Sequence, residues 1–363
     1  MLERRPVAAA TRRVTPSAPA VTGARLPWVD AARGLAVCGV VLFHVCLWHL
    51  TPMAATDPAA AGAVSGWGRL NALIDALRMP VLLSMSGYLA SRRIAAGFRA
   101  ARPSVAANAW LYVVWLVVYA VVGVAVADGV PHRVDGPVDV LAQLLVPDTP
   151  LWYLMALVLY TVVLTLLRNV PGWAVLAAFA LVSWTAEVVD ATPEFWTKIL
   201  ALGLYFAIGA RFPQLVRSLA SRATVPRAFL VAVVLAALIW ADRFFPTVEL
   251  SEAFERVRGI AVVVGFGCIV AVLVRSRPMQ WFARVIGRRT LWIYVLHVPV
   301  LQLLVTALPP ERLAHALPTP ALWLLPVVEA PTVVVVCWWV GRLLSATPAR
   351  VLFSPPWQGR PGA

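Results

Sequence analysis

The chain has 363 residues, of which 61% are hydrophobic and 13% charged, with a mean hydropathy of +0.81. Soluble domains run nearer half apolar and a quarter charged, so a soluble domain and a disordered chain are both excluded, and continuous apolar runs exclude an outer-membrane barrel. The net charge of +14, from 31 Lys+Arg against 17 Asp+Glu, would suggest nucleic acid in a soluble protein; here its placement along the chain decides.

Residues 1–25 are basic, rich in Ala, Pro and Thr, and lack an apolar core of their own. They are not a secretory signal and are expected to form a disordered cytoplasmic tail. Ten apolar stretches follow, each about long enough to cross a ~30 Å hydrocarbon layer at ~1.5 Å per residue. They lie near 31–50, 69–89, 105–127, 150–167, 172–188, 196–211, 227–244, 258–274, 289–307 and 321–344. The fifth and sixth are short and separated by Glu187, Asp190 and Glu194. The longest connection is about 128–149, which leaves no room for a separate soluble domain. No internal repeat stands out, so an inverted-repeat transporter gains no support.

Numbering the loops alternately from a cytoplasmic N-terminus puts 23 of the 31 cations on the inner side and 13 of the 17 acids on the other. The positive-inside rule then places both termini in the cytoplasm. The expected fold is an all-α polytopic membrane protein, about ten transmembrane helices in one bundle over 26–345, with a short cytoplasmic tail at 346–363. The expected location is the inner, cytoplasmic membrane. The cysteines Cys38, Cys46, Cys268 and Cys337 each sit in an apolar run without a CxxC partner, and read as small buried hydrophobes.

Ionisable groups within spans are costly and default to function. Here they are Arg33, His44, Asp75, Arg78, His297 and Glu329, with His49 near the outer end of the first span. Eleven residues at ~100° each return His44 to within ~20° of the Arg33 direction, roughly 16 Å further along the axis. One helix face thus carries a cation at the cytoplasmic boundary and an imidazole deep in the membrane. Asp75 stands three residues before Arg78 and either pairs with it or fixes the tautomer of His44. Glu329, near mid-depth in the last span, could orient His44 equally well. The run from Ser91 to Pro103 holds Arg92, Arg93, Arg99 and Arg102. Such a cluster can bind phosphate or serve only as positive-inside charge.

These motifs together resemble the integral-membrane acyltransferase 3 family, which includes sugar O-acetyltransferases. WVDAARGLAVCGVVLFHV carries the family's Arg, ten intervening residues and His, as Arg33 and His44. RMPVLLSMSGYLASRR is similar to its second span, with Ser86-Gly87-Tyr88 matching an SG-aromatic signature. Arg99-Ala100-Ala101-Arg102 matches the cytoplasmic RxxR element. PLWYLMALVLY resembles a middle-span motif, and IGRRTLWIYVLHVPVL a late one through Gly287, Tyr294, His297 and Pro299. The resemblance implies a ten-helix bundle that takes an acyl group, commonly acetyl, from cytoplasmic acetyl-CoA or another acyl-CoA, and a stand-alone membrane domain is expected here. The acyl group passes to a hydroxyl of an extracytoplasmic glycan, lipid-linked sugar or glycoside.

By the same resemblance Arg33, Arg99 and Arg102 hold the donor and His44 is catalytic, as general base or transient acyl carrier. Tyr88, Trp152 and His297 are candidates for the acceptor site or the oxyanion. No metal and no bound cofactor are expected, acyl-CoA being a co-substrate. The expected partners are the donor, the acceptor and membrane lipids, with no nucleic acid. A transporter or flippase for an anionic or lipid-linked solute is the competing class, and a scaffold without chemistry the third.

Overall fold

The computed structural model describes residues 26–189, 193–241 and 248–358, which are helical and contain no strand. The expected tail at 1–25 lies outside the described residues, as does the end of the C-terminal tail at 359–363. Ten helices overlap the ten apolar stretches, the second only over its latter half: α1 Pro27–Val45, α2 Met79–Ala96, α3 Phe98–Gly123, α4 Trp152–Leu166, α5 Gly172–Val189, α6 Glu194–Arg211, α7 Val225–Ala241, α8 Val248–Leu273, α9 Thr290–Ala307 and α10 Thr319–Ser345.

By length and apolarity these helices differ in whether they could cross a membrane alone. Among the described residues six segments are long and apolar enough to cross a membrane by themselves: Pro27–Thr56, Phe98–Gly123, Trp152–Asn169, Arg256–Leu273, Arg277–Ala307 and Thr319–Ser345. Two further spans exist only if a bent pair is taken as one, Pro58–Leu73 with Asp75–Ala96 at 52° and Glu194–Arg211 with Pro213–Arg222 at 74°. The apolar segments Gly172–Ala186 and Val225–Leu238 are shorter. The molecule is therefore an all-helical multi-pass membrane protein, with six to eight candidate spans among the described residues by length and apolarity. The bends have local causes. Phe212 precedes Pro213, whose ring disfavours the α region for the residue before it. The break before α2 is a 3-10 turn at Asp75–Leu77, after which Arg78 leaves helical geometry at φ −87°, ψ −92°.

The tightest helix contact is made by glycine. A β-carbon on Gly87 of α2 would lie 2.1 Å from the Phe206 carbonyl oxygen of α6, and one on Gly209 would lie 1.9 Å from that of Ser84. The two backbones touch, in the small-residue packing that replaces hydrophobic drive inside a bilayer, and Ser84 Oγ donates to Tyr205 O at 3.1 Å. The glycine of the SG-aromatic motif thus serves packing.

Buried indole N–H groups need acceptors, and two of them fold the chain back after α10. Trp110 and Trp115 of α3 donate to Val351 O at 3.0 Å and Leu352 O at 2.6 Å. Residues 348–352 are thereby docked against the bundle. All four cysteines are free; Cys46, Cys268 and Cys337 are buried and Cys38 is half-buried.

A histidine cavity and an arginine cavity along the first helix

Pro27 opens α1 at a position where its missing N–H costs nothing, and the helix runs unbroken from there past His44. Arg33 and His44 therefore stand on one continuous face. Each opens into a cavity. That of Arg33 is about 160 Å³ and is lined also by Ser86, Asn108, Tyr153 and Thr290. That of His44 is about 360 Å³, with Asp75, Arg78, His132, Trp152, Glu194, Lys198 and Arg256 in its wall. Tyr294 lines both. Its hydroxyl donates to Pro150 O and its ring packs on Tyr153 at 5.0 Å, so it forms a partition between the two chambers.

The imidazole of His44 is oriented by two acceptors. Its Nδ1 lies 2.9 Å from Val40 O and 3.3 Å from Nε2 of His297. A carbonyl oxygen only accepts, so Nδ1 of His44 carries the proton. His297 Nδ1 lies 2.6 Å from Tyr294 O, which by the same logic protonates that nitrogen and leaves His297 Nε2 a lone pair for His44. Both rings are buried. The consequence is that Nε2 of His44 bears the lone pair and makes no hydrogen bond among the described residues, on a residue that lines the cavity. Two residues beyond His297 along α9, Pro299 has no N–H for Val295 O, and that carbonyl takes the Tyr119 hydroxyl at 3.3 Å instead.

The two acids considered as orienting groups for His44 have other partners. Asp75 pairs with Arg78, whose guanidinium also donates to Asn71 Oδ1 at 3.1 Å and lies 4.4 Å over the Phe43 ring. Glu329 accepts from His49 Nδ1 at 2.8 and 2.9 Å, while His49 Nε2 donates to Leu308 O at 2.8 Å. A π-helical turn at Cys46–Leu50 follows His44 and presents His49 to α10. The orienting duty at His44 thus falls to Val40 O and His297, since both acids are already matched to cations or donors.

The remaining sequence candidates divide. Trp152 lines the His44 cavity, and its indole N–H makes no hydrogen bond among the described residues. His297 touches His44, but its single N–H is spent on Tyr294 O, so in this tautomer it has none left for an oxyanion. Tyr88 is not among the residues lining either chamber, and its hydroxyl accepts from Arg217 Nε at 3.3 Å. Arg33 has a buried Nε without a hydrogen-bond partner. Arg99 and Arg102 are exposed on the first turns of α3, the helix whose Asn108 lines the Arg33 cavity. His132, Glu194, Lys198 and Arg256 were not singled out from the sequence. Their signal was weak, because each is an ordinary polar residue of a connection or helix end until the fold closes around it.

A multi-pass membrane protein with a buried, oriented imidazole facing one chamber and an arginine facing the next is the class defined by this geometry. The family model described as an acyltransferase domain, that of the acyltransferase 3 family, matches residues 26–342, and the chain belongs to that family. No curated protein and no solved structure gives a significant match. The protein is thus a membrane acyltransferase.

Proposed function

We propose that the protein is an O-acyltransferase that takes an acyl group, acetyl or longer, from acyl-CoA on the cytoplasmic side and passes it to a hydroxyl beyond the membrane. The acceptor class is a glycan, lipid-linked sugar or glycoside. The observation that carries this reading is the pair of chambers along α1, one holding Arg33 and the other the unengaged Nε2 of His44, with Tyr294 as their common wall. An extended donor can leave its phosphates among Arg33, Arg99 and Arg102 while its thioester reaches past Tyr294. The acceptor chamber suits a polyhydroxylated group. Trp152 and Phe195 offer apolar faces, and the Asp75–Arg78 and Glu194–Lys198 pairs offer donors and acceptors together.

His44 Nε2 serves either as base for the acceptor hydroxyl or as nucleophile toward the thioester; both need the neutral ring with its proton on Nδ1. Trp152 Nε1 supplies an oxyanion donor. Transport draws on the same buried charges but predicts no chemistry. Purified protein incubated with acetyl-CoA should release free thiol, and His44→Ala should lower that rate by about 10²–10⁴-fold. Thiol release unaffected by His44→Ala, with the variant folded and inserted, overturns the assignment.

A further inference from the structure

The wall of the His44 chamber contains a second imidazole, His132, contributed by the connection between α3 and α4. One indole touches both rings. Trp48 packs on His44 with centroids 4.9 Å apart and on His132 at 5.5 Å, and Phe195 packs on His132 at 5.7 Å. His132 Nδ1 lies 2.7 Å from Asp148 O. That carbonyl fixes the proton on Nδ1 and leaves Nε2 with a lone pair and no hydrogen bond among the described residues.

The backbone beneath this ring is strained and clamped. His132 has φ +56°, the one non-glycine residue with positive φ among the described residues, a conformation that costs on the order of 1–3 kcal/mol and persists only where the surroundings impose it. They do so from both sides. Gln302 of α9 donates to Pro131 O at 2.9 Å, and Arg133 donates to Gly123 O at 3.1 Å while pairing with Asp128 and Asp135. Burial pushes the His132 pKa below the usual imidazole value, against the carbonyl and carboxylate of Asp148 and the charge of Glu194; Lys198 adds to the lowering. At neutral pH the ring is therefore an oriented free base.

We propose that His132 is a second catalytic base, which deprotonates the acceptor hydroxyl while His44 carries the acyl group. The proposal rests on the reading of His44 as the reaction centre. In the first step His44 Nε2 attacks the thioester carbonyl; the C–N bond forms, the C–S bond breaks, and the electron pair leaves on the thiolate. The acylated His44 then has no lone pair, its Nδ1–H being held by Val40 O. Of the other proton acceptors in the chamber, Asp75 is paired with Arg78 and Glu194 with Lys198. In the second step the acceptor proton passes to His132 Nε2 and the acceptor oxygen attacks the acyl carbon. The C–O bond forms, the C–Nε2 bond breaks, and its electron pair returns to His44. His132 releases the proton to water, and the thiolate takes one from water on its own side.

The decisive variant is His132→Asn, because asparagine tolerates positive φ yet has no basic nitrogen. Inside-out membrane vesicles from producing cells are supplied with radiolabelled acetyl-CoA, and thiol release, label on the protein and label in the glycan and polar-lipid fractions are followed. His132→Asn is expected to release about one thiol per protein, retain label on the chain, and transfer it about 10²–10⁴-fold more slowly than the wild type. Added imidazole should restore part of the transfer in His132→Ala. Transfer by His132→Asn within about threefold of the wild type overturns the proposal, as does joint loss of burst and transfer in protein that melts like the wild type. Wild-type thiol release that survives His44→Ala overturns the underlying reading instead.

Discussion

The imidazole of His49 has an acceptor at each nitrogen, the Glu329 carboxylate at 2.8 Å and the Leu308 carbonyl at 2.8 Å. With both N–H positions used, this ring has no lone pair to offer chemistry, in contrast to His44 five residues earlier. The two histidines of α1 and its π-helical extension have thus divided their tasks. His49 ties the end of the first span to α9 and α10, and His44 faces the chamber. Both partners of the His49–Glu329 pair are buried, and removing one partner from such a pair strands the other. Glu329→Ala should therefore destabilise the protein by about 3–5 kcal/mol, with Glu329→Gln milder because its amide oxygen still accepts from His49. Unfolding in detergent, followed by heat or by SDS titration, measures this; equal stability of Glu329→Ala and wild type would show that the pair holds nothing together. Arg33 and His44 were legible at this scale because a regular helix converts spacing into direction. The partner of Glu329 was not, since it depends on which helices become neighbours and on the local π turn.

Among the helices, the backbone contact between α2 and α6 sets the position of much of the site. Ser86, beside Gly87, bonds Tyr153 Oη at 2.7 Å, and Tyr153 packs against the partition ring of Tyr294. Spreading α2 from α6 would disturb that chain of contacts. Gly87→Ala places a methyl group 2.1 Å from a backbone oxygen, which cannot move as a side-chain end can. A loss of about 1–3 kcal/mol is expected, as for overpacking elsewhere. Gly68→Ala is the matched control, as its added carbon meets nothing within 4 Å. Melting curves of the two variants test this, and a Gly87→Ala curve as stable as that of Gly68→Ala would refute it. Hydropathy located the helices, of which six described segments are long and apolar enough to cross a membrane alone. Apolar residue counts do not register the turn at Asp75–Leu77 or the stop at Pro213, where backbone geometry bends a run without lowering its hydropathy. His132 was illegible for a related reason: it lies 88 positions from His44, and only the fold of its connection, pinned by Gln302 and Arg133, brings it to the chamber.

For the molecule as a whole, the proposed reaction has a direction, and the direction follows from which end faces the cytoplasm. Arginines gather at one end: Arg92, Arg168, Arg211 and Arg217 line a single cavity of about 640 Å³ there, and Arg288 approaches Asp30 at the start of α1. The opposite end holds His49, His132 and the paired Asp128 and Asp135. On the positive-inside rule we propose that the arginine end faces the cytoplasm, which would put the Arg33 chamber on the donor side and the His44 chamber toward the acceptor. Single cysteines at exposed positions test the orientation, with the four native cysteines replaced. Ser221 is exposed at the arginine end, and Val138 is exposed at the other. A membrane-impermeant maleimide should label Val138→Cys in intact cells and Ser221→Cys only after permeabilisation. The reverse pattern would place the arginines outside, where cytoplasmic acyl-CoA could not reach them, and the donor would then have to enter through the His44 chamber.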